Sequence, residues 1–182
     1  MSYRFEAGRI YRMPTHFGPA PGPRQMPDGV ADPKRSPRRL SVSASFLTDA
    51  TQLERHLPEG FELAGEPAVT IDAHYLTEID WLAGRGYTMV NVGWPATFRG
   101  KQDRATGRFL AVVWENLADP IITGRGETGW PKLYAEIAEP RLWDGAQICS
   151  VGWMGFRFLE LTVSDLRPAS TQPSASPSDG TL

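Results

Sequence analysis

Residues 39–46 read RLSVSASF, and this stretch decides the fold class. Its apolar side chains, Leu40, Val42, Ala44 and Phe46, alternate with polar serines. A period of two is typical of a β-strand that buries one face. The stretch therefore predicts a half-buried strand as the first core element of the protein.

A short helix is predicted directly after this strand. Asp49, followed three residues later by Gln52, forms a capping-box pattern. Leu53 and Leu57 then fall on one helical face before a proline ends the turn. The sequence thus predicts a helix over residues 49–57.

The remaining apolar segments are short and predict more strands. They cover residues 68–76, 87–94, 109–115, 132–138, 147–153 and 156–163, with turns predicted at Gly84-Arg85-Gly86, Thr106-Gly107 and Asp144-Gly145. Many short strands with one or two short helices indicate a mainly β (α+β) fold. We expect an antiparallel sheet that curls into a partial barrel.

The two ends of the chain differ from this middle region in composition. Residues 1–37 are rich in proline and glycine, which excludes a helix or a central strand and predicts an N-terminal arm. The arm is either a flexible leader or a segment that lies across a partner subunit. Residues 167–182 are rich in serine and proline and predict a disordered tail. A single β domain is therefore expected over residues 38–166.

Composition excludes several classes of function. The chain of 182 residues has a net charge of -2 and offers no basic stripe for phosphates, so nucleic acid is not an expected partner. It has no secretory leader and no apolar stretch of roughly 20 residues, so no membrane partner is expected. The lone Cys149 fits a reducing compartment. We expect a cytoplasmic protein that binds a small molecule.

Lys132 stands out among the three lysines of the chain because Trp130, Pro131, Leu133 and Tyr134 surround it in sequence. Desolvation disfavours a charged ammonium group and makes the neutral amine available as a nucleophile, which Schiff-base chemistry requires. A lysine that extends its charged end to water past an aromatic ring has the same local sequence. The surroundings of Lys132 alone leave both interpretations open.

Residues 114–132 read WENLADPIITGRGETGWPK, and this run bears on the choice. It resembles the core motif of the acetoacetate decarboxylase family, in which an Asn-containing turn is followed by Gly-Arg and then by Gly, an aromatic residue, Pro and the reactive Lys. The resemblance covers about residues 10–165. It implies the partial cone-shaped β-barrel of that family and makes Lys132 the counterpart of the reactive lysine.

The resemblance also implies a mechanism. Lys132 would form an imine with a small β-keto acid, carbon dioxide would leave, and neither a metal nor an organic cofactor would be needed. Arg39 matches the family's active-site arginine and would hold the substrate carboxylate or orient an acidic partner. Glu127 is the acid that follows the Gly-Arg pair and completes the catalytic candidates. The substrate-binding candidates are Trp130, Met89, Glu115 and Asp72.

Two departures from the family pattern leave alternatives open. Met89 stands near the position of the family's catalytic carboxylate, so the imine would instead support aldol-type condensation and dehydration of pyruvate-like substrates. Leu133 stands where the best-studied type has a second lysine, so activation of Lys132 would rest on burial alone. A third interpretation is a catalytically silent relative that binds a small molecule. An open strand edge makes a homo-oligomer the expected assembly.

Overall fold

The computed structural model describes residues 7–8 and 37–165, which form ten strands and two α-helices. The predicted N-terminal arm and C-terminal tail lie almost wholly outside this part of the chain. The elements are β1 (Arg38–Leu47), α1 (Ala50–Glu54), β2 (Phe61–Leu63), β3 (Ala68–Ile79), β4 (Arg85–Arg99), β5 (Arg104–Glu115), α2 (Ala118–Thr128), β6 (Lys132–Tyr134), β7 (Glu136–Ile137), β8 (Arg141–Trp143), β9 (Ala146–Trp153) and β10 (Phe156–Val163). The mainly β fold class is confirmed.

The strands form two sheets that do not close into a complete barrel. The larger sheet has the order β1-β3-β4-β5-β6, with β2 paired to β4. The smaller sheet has the order β10-β9-β7, with β8 paired to β9. The sheets are therefore curled but open, which agrees with the partial barrel that the sequence predicted.

The alternation of residues 39–46 forms strand β1 as predicted, but β1 lies at the edge of the larger sheet. Within the described residues it pairs with β3 alone, so its apolar side chains receive cover from one side. Val42 and Ala44 are half-buried, whereas Leu40 and Phe46 remain about half exposed, at 51% and 48%. The strand thus borders the core and does not begin it.

The predicted helix forms, although it is shorter than expected. The Asp49 side chain caps α1 by accepting a hydrogen bond from the Gln52 backbone N–H at 3.0 Å. Leu53 is buried and Leu57 is half-buried, which is the apolar face that the sequence indicated. The chain leaves the α-helix after Glu54 and continues in turns to β2.

Helix α2 was not predicted, and it changes how the strands pair. Its sequence carries Pro120, Gly124 and Gly126 and no apolar period, so no amphipathic face marks it. Pro120 is tolerated because it lies in the first turn, and Gly129 ends the helix in the left-handed conformation at φ 67°. The crossover through α2 brings β6 alongside β5 in parallel, whereas all the other strand pairs are antiparallel.

Three further expectations need correction. The predicted turn at Thr106-Gly107 was wrong, because both residues lie inside β5 and the hairpin turns at residues 100–103. The single strand predicted over residues 132–138 is split between β6 and β7, which belong to different sheets. The sequence also missed β2 and β8, each only three residues long.

The larger sheet has two faces of different character. One face packs into apolar clusters that contain Ala73, Tyr75, Val90 and Trp94. The opposite face is set by cross-strand register: Ser41 of β1 opposes His74 of β3, His74 opposes Met89 of β4, and Met89 opposes Glu115 of β5. Since opposed residues point to the same side of a sheet, this second face carries His74 and Glu115.

Within the described part of the chain, no helix is both long and apolar enough to cross a membrane.

Candidate active site

Strand β6 and helix α2 place Lys132 in a buried position with defined contacts. The residue is only 7% exposed. Its Nζ lies 2.8 Å from Oε1 of Glu115 and donates a hydrogen bond to the backbone carbonyl of Pro120 at 3.0 Å. The Trp130 ring centroid lies 5.4 Å from the same nitrogen. The amine therefore points into the protein and not into bulk water.

Glu115 is the residue most strongly affected by this arrangement. It is fully buried, and among the described residues its Oε2 atom has no hydrogen-bond partner. Burial raises the pKa of the Glu115 carboxyl, and the neighbouring Lys132 opposes that rise only in part. A carboxyl whose pKa is raised in this way keeps its proton to a higher pH than an ordinary carboxyl does. Glu115 is thus suited to exchange a proton with Lys132.

The glycine of the Gly-Arg pair makes room for the lysine. A Cβ atom on Gly124 would come within 2.5 Å of Lys132 Nζ, a distance that real contacts do not reach. Arg125 then donates a hydrogen bond from Nη1 to the Lys132 carbonyl at 2.8 Å, which fixes the backbone of β6 against α2. The two residues of the pair therefore position Lys132 sterically and through its main chain.

Exchanging Gly124 for alanine is expected to impair the lysine without unfolding the protein. The added methyl group would displace the Lys132 amine from Glu115 and Pro120, so we expect the rate of imine formation with a keto acid to fall by roughly tenfold or more. The rate is measured by borohydride trapping and mass spectrometry.

Gly126 supplies the matched control, because it lies in the same helix and a Cβ there meets nothing within 4 Å. The Gly126→Ala protein should gain about 0.5–1 kcal/mol in free energy of unfolding and trap keto acid at the rate of the unmodified protein. Equal trapping rates for the two alanine variants would refute the steric role of Gly124.

A cavity of about 260 Å³ opens beside the lysine, between α2 and the β3–β4 hairpin. Its lining residues are Leu76, Trp81, Tyr87, Met89, Pro120, Thr123, Gly124, Thr128, Trp130 and Lys132. Burial and the charge of nearby Glu115 raise the pKa of the Tyr87 hydroxyl. That hydroxyl therefore stays protonated at neutral pH and is available as a hydrogen-bond donor.

The structure brings some of the sequence candidates together and separates others. Lys132, Trp130 and Met89 line the cavity, and Glu115 lies beneath the amine, out of contact with solvent. Glu127 falls within α2, but its side chain is outside the described part of the structure.

Arg39 and Asp72 lie on the larger sheet away from the lysine. Arg39 lies on strand β1 opposite Leu76 and lines an adjoining cleft of about 700 Å³. That cleft shares Leu76 and Tyr87 with the cavity at Lys132, although it includes neither Lys132 nor Glu115. Asp72 is buried in an ion pair with Arg108, with 2.5 Å between Oδ2 and Nη1.

Several cavity residues were not found from the sequence. Tyr87 had a usable signal, because it precedes Met89 by two residues on one strand and therefore shares its face. Trp81 had no such signal, since it lies in a 3-10 turn between β3 and β4. Thr123 and Thr128 depend on α2, which the sequence did not indicate.

The pattern of the family described as acetoacetate decarboxylase (ADC) matches residues 12–181, which is most of the chain. The chain belongs to the acetoacetate decarboxylase family. A search of curated proteins by sequence finds no match.

Several solved structures share the fold. The enduracididine biosynthesis enzyme MppR, complexed with pyruvate, matches with a TM-score of 0.63 and 20% identity, over 93% of this chain and 69% of MppR. Acetoacetate decarboxylase from Legionella pneumophila matches with a TM-score of 0.57 and 21% identity, over 70% of this chain and 48% of that one. An acetoacetate decarboxylase-like enzyme from Sphingomonas wittichii RW1 matches with a TM-score of 0.56 and 19% identity, over 69% of this chain and 55% of that enzyme. The chain spans about half the length of the acetoacetate decarboxylase structures that it matches.

Proposed function

We propose that this protein is a Schiff-base lyase that decarboxylates a small β-keto acid through an imine on Lys132. The observation that carries the proposal is the buried amine, which lies 2.8 Å from the Glu115 carboxyl at the wall of a cavity. A lysine that merely extended its charge to water would not be 7% exposed. Membership in the acetoacetate decarboxylase family supports the same class of chemistry.

The first step requires a neutral amine, and Glu115 supplies the means. Inside the protein, a neutral amine beside a carboxylic acid competes with an ammonium–carboxylate ion pair, because burial removes hydration from both charged groups. A proton that moves from Lys132 Nζ to Glu115 Oε1 crosses only the 2.8 Å contact. Activation of Lys132 thus rests on a proton partner as well as on burial, and no second lysine is needed.

The following steps use the same groups. The amine adds to the ketone carbon, the Glu115 carboxyl gives up its proton so that the hydroxyl leaves as water, and the resulting protonated imine accepts the electron pair of the carbon–carboxylate bond as carbon dioxide departs. The Tyr87 hydroxyl, which lines the cavity, donates a hydrogen bond to the substrate. The enamine carbon then takes a proton delivered from solvent, and hydrolysis of the protonated imine releases product and lysine and returns a proton to Glu115.

Aldol-type condensation followed by dehydration is the second candidate function. Met89 favours it, because this thioether lines the cavity near the position where the family's decarboxylases have a carboxylate. The imine itself would form in the same way, but an enamine from a pyruvate-like substrate would attack an aldehyde. The similarity of the fold to MppR, whose structure contains pyruvate, is consistent with this candidate.

Borohydride trapping tests the proposal directly. The protein is incubated with acetoacetate or with pyruvate, reduced, digested, and analysed by peptide mass spectrometry. We expect a covalent adduct on Lys132 and none on the exposed Lys101. If neither acid gave an adduct, the result would favour a protein that binds small molecules without catalysing a reaction.

Product analysis then separates the two reactions. Release of carbon dioxide from a β-keto acid supports decarboxylation. Consumption of two carbonyl compounds with loss of water supports condensation. Self-association and a cytoplasmic location stay predictions, and size-exclusion chromatography with light scattering tests the first of them.

A further inference from the structure

The cavity at Lys132 has two walls of different chemistry. The amine lies on the α2 side, where it contacts the Pro120 carbonyl and the position of Gly124. The facing wall comes from β3, the 3-10 turn and β4, and its residues are Leu76, Trp81, Tyr87 and Met89. A substrate bonded to the amine nitrogen must therefore extend toward this wall, which we call the hairpin wall.

The hairpin wall is almost entirely apolar. Leu76 is buried, Met89 and Trp81 are half-buried, and the polar groups of the four side chains are the Tyr87 hydroxyl and the Trp81 indole N–H. Aromatic and thioether groups recognise flat or branched apolar groups through contact area and sulfur–aromatic attraction. The wall thus matches an apolar part of a ligand.

The volume of the cavity points the same way. About 260 Å³ corresponds to roughly nine water molecules at the density of the liquid. A four-carbon keto acid has seven non-hydrogen atoms and displaces about five of them on the same scale. Such a substrate would leave part of the hairpin wall in contact with water, and the remaining space of about four waters is close to the size of a phenyl ring.

The polar groups of the cavity offer little to a second carboxylate. Thr123 donates its hydroxyl hydrogen to the Asp119 carbonyl at 2.9 Å, and Thr128 donates to the Gly124 carbonyl at 2.7 Å. Among the described residues that line the cavity, the remaining side-chain donors are Lys132, Trp81, Trp130 and Tyr87. With Lys132 used in the imine, the donors that remain are neutral, and none of them is a cation that would pair with a second carboxylate.

We propose that the substrate of Lys132 is a β-keto acid whose ketone carbon bears an aryl or branched apolar group, and that this group lies on the hairpin wall between Trp81 and Met89. The inference rests on the imine at Lys132 proposed above and narrows its substrate class. Imine formation still releases one water, and decarboxylation still transfers the bond electrons into the imine. The apolar group takes no part in either step and acts through binding.

The unmodified protein provides the first test. We compare kcat/KM for carbon dioxide release from 3-oxo-3-phenylpropanoate and from acetoacetate, and expect the aryl acid to be favoured by roughly tenfold or more. Lys132 adducts are measured in parallel by borohydride trapping with the two acids in competition. Adducts and carbon dioxide from acetoacetate with no preference for the aryl acid would overturn the inference and leave the proposed function standing. No adduct with either acid would overturn both.

Trp81→Ala provides the second test, with Trp143→Ala as its matched control. Trp143 is 75% exposed and lies in the smaller sheet, away from the cavity. We expect the aryl-to-acetoacetate ratio of kcat/KM to fall by roughly tenfold in Trp81→Ala and to stay unchanged in Trp143→Ala. Melting curves of the two variants identify any general loss of folding. Such a loss would lower kcat/KM for the aryl acid and for acetoacetate alike and would leave their ratio unchanged. An unchanged ratio in a folded Trp81→Ala protein would overturn the inference.

Discussion

The Lys132→Met protein is expected to form no borohydride-stable adduct with any keto acid and to lose carbon dioxide release by roughly 10³-fold or more. Methionine keeps the length and apolar stem of the side chain but carries no nucleophilic nitrogen. The cavity walls contributed by α2 and the hairpin stay in place, so the loss reports on the amine and not on the shape of the site. Mass spectrometry and a carbon dioxide assay measure the two effects.

Lys101 is the appropriate control for that experiment. It is exposed in the turn between β4 and β5 and does not line the cavity. The Lys101→Met protein should trap keto acid and release carbon dioxide at the rate of the unmodified protein. If Lys132→Met still trapped keto acid and Lys101→Met did not, the reactive amine would be Lys101, and the proposed function would be refuted.

A double-mutant cycle on Lys132 and Glu115 is expected to reveal a large coupling energy. Each single replacement, Lys132→Met or Glu115→Leu, leaves one buried ionisable group without its partner and should cost about 3–5 kcal/mol in free energy of unfolding. The double variant removes both groups and should be about as stable as the unmodified protein. Denaturant unfolding measures all four proteins, and additive losses would contradict a buried ion pair.

The pH dependence of the Lys132→Met protein gives an independent check. Without the opposing cation, burial alone acts on Glu115 and raises its pKa above the ordinary value of 4.5. The folded state then binds more protons than the unfolded state, so its stability is greatest below about pH 4.5. That stability should fall by about 1.4 kcal/mol per pH unit as the pH rises toward the folded-state pKa. Lys132→Met combined with Glu115→Gln should lack this decline.

The parts of the fold that were predicted are those encoded by local pattern. The serine alternation around Val42 forms an edge strand, and Asp49 caps the helix that follows it. Asp144 and Gly145, both with positive φ, turn β8 into β9 as the dipeptide indicated. In each case the residues that specify the element are adjacent in sequence, so no knowledge of distant packing is needed.

The parts that were missed depend on contacts between distant residues. Helix α2 lacks an apolar period because it is held by its crossover between β5 and β6 and by the packing of Lys132 against Gly124. The same limit applies to the candidate site. The motif identified Lys132, but the direction of its side chain toward Glu115 follows from the parallel pairing of β5 and β6.

Residues chosen for the site by resemblance lie at different places relative to the cavity. Met89 lines it and is directly opposite Glu115 on the neighbouring strand. Asp72 pairs with Arg108. Arg39 lines the adjoining cleft, which shares Leu76 and Tyr87 with the cavity. Register across several strands decides which of these side chains meet, and local sequence does not encode it.

The compactness of the stretch from Glu115 to Lys132 has a consequence for protein engineering. The nucleophile, its proton partner, the carbonyl that orients it and the glycine that leaves it space all come from this one uninterrupted length of chain. A strand, helix and strand of the same connectivity in another scaffold would carry the whole reactive unit in a single graft. Substrate choice would then be set separately, by whatever hairpin the recipient places across from it.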